Sequence, residues 1–176
     1  MVSIMANAKA GNRKITAKDK DYQKFTQALE YINTYLAKEI ARDGEGATKL
    51  IECIVNGAKT EEEAGKLARS VIASSLVKTA MFGADANWGR ILCALGYAGE
   101  YIDVDKVDIF LKSSVGIINV CREGKGILFD EELAKEILSS SEVIIIVQLN
   151  LGEESAIAWG CDLSYDYVKI NGDYRS

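Results

Sequence analysis

Hydrophobic positions along this chain repeat in two periods, and the switches between them outline its elements. Tyr22, Phe25, Leu29, Ile32, Leu36 and Ile40 step by three and four, which predicts one long amphipathic helix from about Lys18 to Ala41. Ahead of it, Val2 to Ala6 alternates in the strand period, and Asn7 to Asn12 reads as a loop. No turn or cap precedes that alternation, so the opening reads as the middle of a strand and the chain as the later piece of something longer. Asp43 to Gly46 then breaks the helix with two glycines.

Leu50, Ile51, Cys53, Ile54 and Val55 put apolar side chains on both faces, which predicts a central strand over Ala47–Ala58 covered on both sides. Thr60 to Glu63 has the form of a capping box, opening a helix with Ala64, Leu67, Ala68, Val71 and Ile72 on one face. Asp85 to Gly96 returns to helical spacing, with Asp85 as its expected cap. Val107–Leu111 and Val115–Cys121 read as a hairpin, and Asp130 caps a helix through Leu133, Ile137 and Leu138. Val143–Leu151 and Ala156–Asp162 read as two strands joined by a Gly-Glu-Glu turn, and Ser164–Asn171 as a closing helix. Hairpins mixed with crossovers predict one compact α/β unit on a mixed sheet, of sandwich type.

Composition removes whole classes of chemistry. The 176 residues include no histidine, which excludes Ser-His-Asp and Cys-His catalysis and His-ligated zinc. Cys53, Cys93, Cys121 and Cys161 form no CxxC pair and read as buried reduced thiols. The net charge of −5 argues against nucleic acid and anionic membranes as partners. No apolar run is long enough to span a bilayer, and no signal peptide opens the chain, so the cytoplasm is the default.

Three segments carry candidate chemistry. In Asp43-Gly44-Glu45-Gly46-Ala47-Thr48 the glycines allow a sharp turn that holds the Glu45 carboxylate forward, suited to an ammonium ligand and unsuited to phosphate. Thr48 could serve as an N-terminal nucleophile only if the bond before it were cut, and nothing marks it so. Between Phe82 and Arg90, Asp85, Asn87 and Arg90 can cap helices or bind a ligand. The tail from Tyr165 to Ser176 is rich in aromatics and ends beside an Asn171-Gly172 turn, which predicts a docked end rather than a frayed one.

Arg42 to Lys49, Leu76 to Arg90 and Ala158 to Asn171, in this order, resemble the bifunctional ornithine acetyltransferase / glutamate N-acetyltransferase family, ArgJ. The resemblance spans almost the whole chain and implies a sandwich fold of the DmpA/ArgJ-like type. It implies an acetyl shuttle from N-acetylornithine to glutamate through a threonine acetyl-enzyme, with acetyl-CoA accepted by some members. It implies an α chain and a second copy as partners, in an α2β2 heterotetramer, and no cofactor or metal.

Three substrate-binding positions carry over by resemblance: Glu45, expected to hold a substrate amino group, Asn171, and Ser176, where the family usually has threonine. The self-cleavage site, the nucleophilic threonine and the oxyanion groups lie upstream of what Met1–Ala6 matches. No catalytic residue is therefore expected in residues 1–176. They read as the C-terminal region of the β chain, with residues 1–6 the remnant of an upstream strand. The rival reading is a non-catalytic domain that binds an amino acid or associates. Either way the unpaired strand predicts self-association of the isolated chain.

Overall fold

The computed structural model describes residues 2–174. They fall into two compact units, residues 1–36 and residues 37–176, where one was expected. In the first unit Asp19 caps a long helix, accepting from the amides of Asp21 and Tyr22 at 3.0 Å each. This helix, α1, runs Lys20–Arg42 as its period predicts, but it buries no side chain. Phe25, Ile32 and Leu36 along its apolar stripe are about half exposed. Val2–Ala6, expected as a strand, makes no ladder. A strand has no hydrogen bonds of its own, so alternation without a neighbour cannot form one.

The second unit is built on a mixed six-stranded sheet in the order β4-β3-β2-β5-β1-β6. The strands are β1 (Leu50–Ala58), β2 (Asp108–Lys112), β3 (Ile117–Arg122), β4 (Lys125–Gly126), β5 (Glu142–Gln148) and β6 (Glu154–Cys161). β1 is an interior strand next to the edge, parallel to β5 and antiparallel to the edge strand β6. Its odd-numbered residues Ile51, Cys53 and Val55 are buried, while Glu52, Ile54 and Asn56 are only half-buried. The second face of this strand is thus not covered as its composition predicts.

Four helices supply the rest of the core: α2 (Glu61–Ala73), α3 (Ser75–Phe82), α4 (Trp88–Gly96) and α5 (Glu131–Leu138). Leu67, Val71, Met81, Ile91, Leu95, Ile137 and Leu138 join Ile51, Val55, Ile109, Leu111 and Ile145 in one cluster. Burying each such side chain is worth roughly 1.5–3 kcal/mol. Thr60 caps α2 as predicted, its hydroxyl accepting from the Glu63 amide at 3.1 Å. α3 was not legible: a single serine, Ser74, separates it from α2, ending one helix and capping the next.

The predicted turn between β5 and β6 exists, but it makes no hairpin. The two strands flank β1, so the connection crosses over the end of that strand. Leu149 donates to the Asn56 carbonyl at 2.9 Å, and Leu151 and Gly152 both donate to that of Gly57 at 2.8 Å. A side chain at Gly152 would collide with the Ala58 carbonyl, so only glycine lets the chain pass this closely. The crossover delivers the end of β6 beside the start of β1, and α6 (Tyr165–Asp173) follows.

Candidate functional site

Glu45 owes its position to a tight turn. Arg42, at the end of α1, is anchored to Glu142 at the start of β5 (2.7 Å), and the chain reverses immediately afterwards. The Ala47 amide donates to the Gly44 carbonyl at 2.9 Å, closing a four-residue turn with Glu45 and Gly46 at its tip. Gly46 has φ +66°, the left-handed geometry that the third position of such a turn demands. Gly44 is required for space: a Cβ there would stand 2.7 Å from the Cys161 Sγ. The result is an exposed carboxylate on a stiff turn.

The segment leaving β6 grips this turn from below. The buried Asp162 carboxylate accepts from the amides of Thr48 (2.8 Å) and Lys49 (3.1 Å) and from the Thr48 hydroxyl. Ser164 donates its hydroxyl to the Gly46 carbonyl at 2.5 Å and accepts from the Tyr167 amide at 3.3 Å, which caps α6. Lys49 anchors the loop to the helical layer, its ammonium reaching the carbonyls of Met81 (2.6 Å) and Leu138 (2.7 Å). Burial draws the Lys49 pKa below the usual lysine value, and the charge of Asp162 acts the other way.

Glu45 and Asn171 meet across 126 positions of sequence. Asn171 Nδ2 donates to Glu45 Oε2 at 2.9 Å and to the Tyr167 carbonyl at 2.9 Å. Both hydrogens of the amide are thereby spent inside the molecule. Among the described residues, Asn171 Oδ1 and Glu45 Oε1 accept no hydrogen bond and stay open to a ligand. One negative charge and two open acceptors in a small space suit a primary ammonium, which has three donors and no acceptor.

The model of the ArgJ family matches residues 1–176. The chain belongs to the ArgJ family. It is 57% identical over 173 residues to the arginine biosynthesis bifunctional protein ArgJ of Caldanaerobacter subterraneus subsp. tengcongensis, covering 98% of this chain and 43% of that protein. It is 54% identical over 176 residues to arginine biosynthesis bifunctional protein ArgJ 1 of Clostridium acetobutylicum, covering all of this chain and 43% of that one. The crystal structure of the ArgJ protein of Bacillus halodurans superposes with a TM-score of 0.92 at 46% identity, covering 99% of this chain and 80% of that chain. The ArgJ-family chain thus spans 43% of the length of these curated relatives.

Of the three expected ArgJ contacts, the fold brings Glu45 and Asn171 together, and Ser176 lies outside the described residues. Asn171 and Gly172 form the last turn of α6 rather than a separate turn. The tail is held less than its aromatics predict: α6 buries no side chain, and Tyr165 and Tyr174 are largely exposed. The Tyr165 ring packs edge-on to Phe82 at 5.4 Å. Asn87, not Asp85, caps α4 by accepting from the Arg90 amide, and Asp85 in turn accepts from the Asn87 side chain. Arg90 braces α3 through the Leu76 carbonyl at 3.0 Å. Cys53 and Cys121 are buried as expected, but Cys161 is half-buried and Cys93 exposed.

Asp162, Ser164 and Lys49 carry the site's architecture and drew no assignment from the sequence. The one local signal was Ser164 at a helix start. Apart from Tyr167, three residues after Ser164, their partners lie more than 30 positions away, which no local pattern records.

Proposed function

We propose that this chain is the substrate-binding part of an acetyltransferase that moves the acetyl group of N-acetylornithine to glutamate. The observation that carries the reading is the Glu45–Asn171 pair, a carboxylate and an open amide oxygen shaped for an ammonium group. N-acetylornithine presents one at its side-chain end, away from the acetylated nitrogen; glutamate, whose single amine is the acetyl acceptor, brings that amine to the threonine ester instead. The nucleophile is a threonine outside this sequence. Its hydroxyl attacks the acetyl carbonyl, ornithine leaves with its amine restored, and the glutamate amine then takes the acetyl group from the threonine ester. Acetyl-CoA is a second donor within this reading, and no cofactor or metal enters it.

The names of the relatives, bifunctional proteins of arginine biosynthesis, support the assignment. In this reading residues 1–176 are the C-terminal region of the β chain, with residues 1–6 completing a sheet whose other strands come from upstream. An α chain and a second copy form the α2β2 partner set. Ser176 adds a third contact through its hydroxyl. The cytoplasm is the proposed location; among the described residues no helix is long and apolar enough to cross a membrane.

The test is acetyl transfer from N-acetylornithine to glutamate. The purified chain alone gives no turnover, and co-production with the remaining segment of a relative restores it. In the restored enzyme Glu45→Gln raises KM for N-acetylornithine by about 10- to 100-fold, the loss of one charge-assisted contact. Turnover by the chain alone, or an unchanged KM in the variant, refutes the reading.

A further inference from the structure

A carboxylate on a turn and an amide at the far end of a helix make a binding pair only if their separation is fixed. The core does not fix it, because α6 buries no side chain and the turn tip is exposed. Beside their own 2.9 Å hydrogen bond, a second contact joins the two backbones that carry them. Ser164 is 5% exposed and has one hydroxyl facing two backbones. It donates to Gly46, the residue after Glu45, and accepts from Tyr167 in the first turn of α6. Gly46 itself packs on that turn so closely that a Cβ would stand 2.6 Å from the Tyr167 nitrogen.

We propose that Ser164 is a positioning residue for the ammonium-binding pair: its hydroxyl locks the Gly44–Ala47 turn to the start of α6, so that Glu45 and Asn171 face the ligand as one rigid unit. The inference rests on the reading of Glu45 and Asn171 given above. Its leverage follows from helix geometry. Seven residues of rise place Asn171 about 10 Å from the tether. A tilt of about 6° at the helix start therefore moves the amide by about 1 Å. That is enough to break a 2.9 Å hydrogen bond and to misplace the acceptors for a bound ammonium.

Three substitutions in the complete enzyme separate this role from simple helix capping. Ser164→Thr keeps both donor and acceptor. Ser164→Asp keeps the acceptor that caps α6 but has no hydrogen for the Gly46 carbonyl. Ser164→Ala loses both without adding charge, and reads the same shift should the aspartate variant not fold. Ser164→Asp is expected to raise KM for N-acetylornithine about tenfold, with kcat within about twofold; its carboxylate is buried against the Gly46 carbonyl and also lowers the melting temperature, so the tether is read from KM and not from stability. Ser164→Thr is expected to restore the wild-type KM. A wild-type KM in a folded Ser164→Asp or Ser164→Ala enzyme overturns the tether. Measured beside them, Glu45→Gln distinguishes the two failures. If it raises KM while the Ser164 variants do not, the tether alone is wrong. If Glu45→Gln also leaves KM unmoved, the ammonium reading is wrong and the tether falls with it.

Discussion

Lys49→Met should cost the chain about 3 kcal/mol of stability. The ammonium of Lys49 stands just before β1 and reaches the carbonyls of Met81 at 2.6 Å, Leu138 at 2.7 Å and Phe82 at 3.5 Å. Met81 and Phe82 end α3, and Leu138 ends α5. The last carbonyls of a helix lack partners along the helix, and a cation there also meets the negative end of its dipole. One side chain therefore closes two helices. A hydrogen bond to a charged group nets about 1.5–3 kcal/mol, and two short ones at the lower bound give about 3 kcal/mol. The lower bound is the right choice because the ammonium is already partly desolvated, which is what draws its pKa down. Methionine keeps the apolar stem, so the substitution isolates the charge. For a chain of this size the loss corresponds to about 6–12 °C in Tm. Equilibrium urea unfolding at pH 7, followed by far-UV circular dichroism, measures it directly. A difference below about 1 kcal/mol with an unchanged m-value would mean that water serves those helix ends equally well, and the bridging account would be wrong.

Three further outcomes are expected. Gly126→Ala places a Cβ 2.6 Å from the Trp88 ring, the first residue of α4, and should destabilise by about 1–3 kcal/mol; an unchanged melting temperature would show that the ring yields freely. Burial pushes the Cys53 thiol above its ordinary pKa of 9.0, with the Glu52 charge adding to the effect. Above pH 9 the unfolded chain releases a proton that the native state keeps, so stability is full below that pH and falls as pH rises. Cys53→Ala should make the fall shallower by up to about 1.4 kcal/mol per pH unit, and urea melts at pH 8, 9 and 10 would contradict this if the two slopes matched. The exposed stripe of α1, with Phe25, Ile32 and Leu36, should drive concentration-dependent association of the isolated chain, and a single monomeric boundary at all concentrations in sedimentation velocity would rule that out.

Where the sequence was informative, the physics was local. The helical period of α1, the caps at Thr60 and Asp130 and the apolar run of β1 each depend on residues close to one another along the chain, and each element stands close to where its pattern puts it. The Gly44-Glu45-Gly46 turn belongs to the same class: one glycine supplies the left-handed φ, the other makes room, and the carboxylate between them is carried to the tip.

What tertiary structure decided was which distant groups meet. Apolar positions mark both β1 and Val2–Ala6 as strands, yet of the two only β1, lying between β5 and the edge strand β6, has neighbours to pair with. The turn after β5 looked like a hairpin and became a crossover, because strand order depends on long-range register that a two-residue period does not encode. That crossover brings Asp162 and Ser164 beneath the Glu45 turn and carries Asn171 to its carboxylate. A residue's type shows which hydrogen bonds it can make. Its partner, 126 positions away for Glu45 and Asn171, is chosen by the packing of the sheet between them.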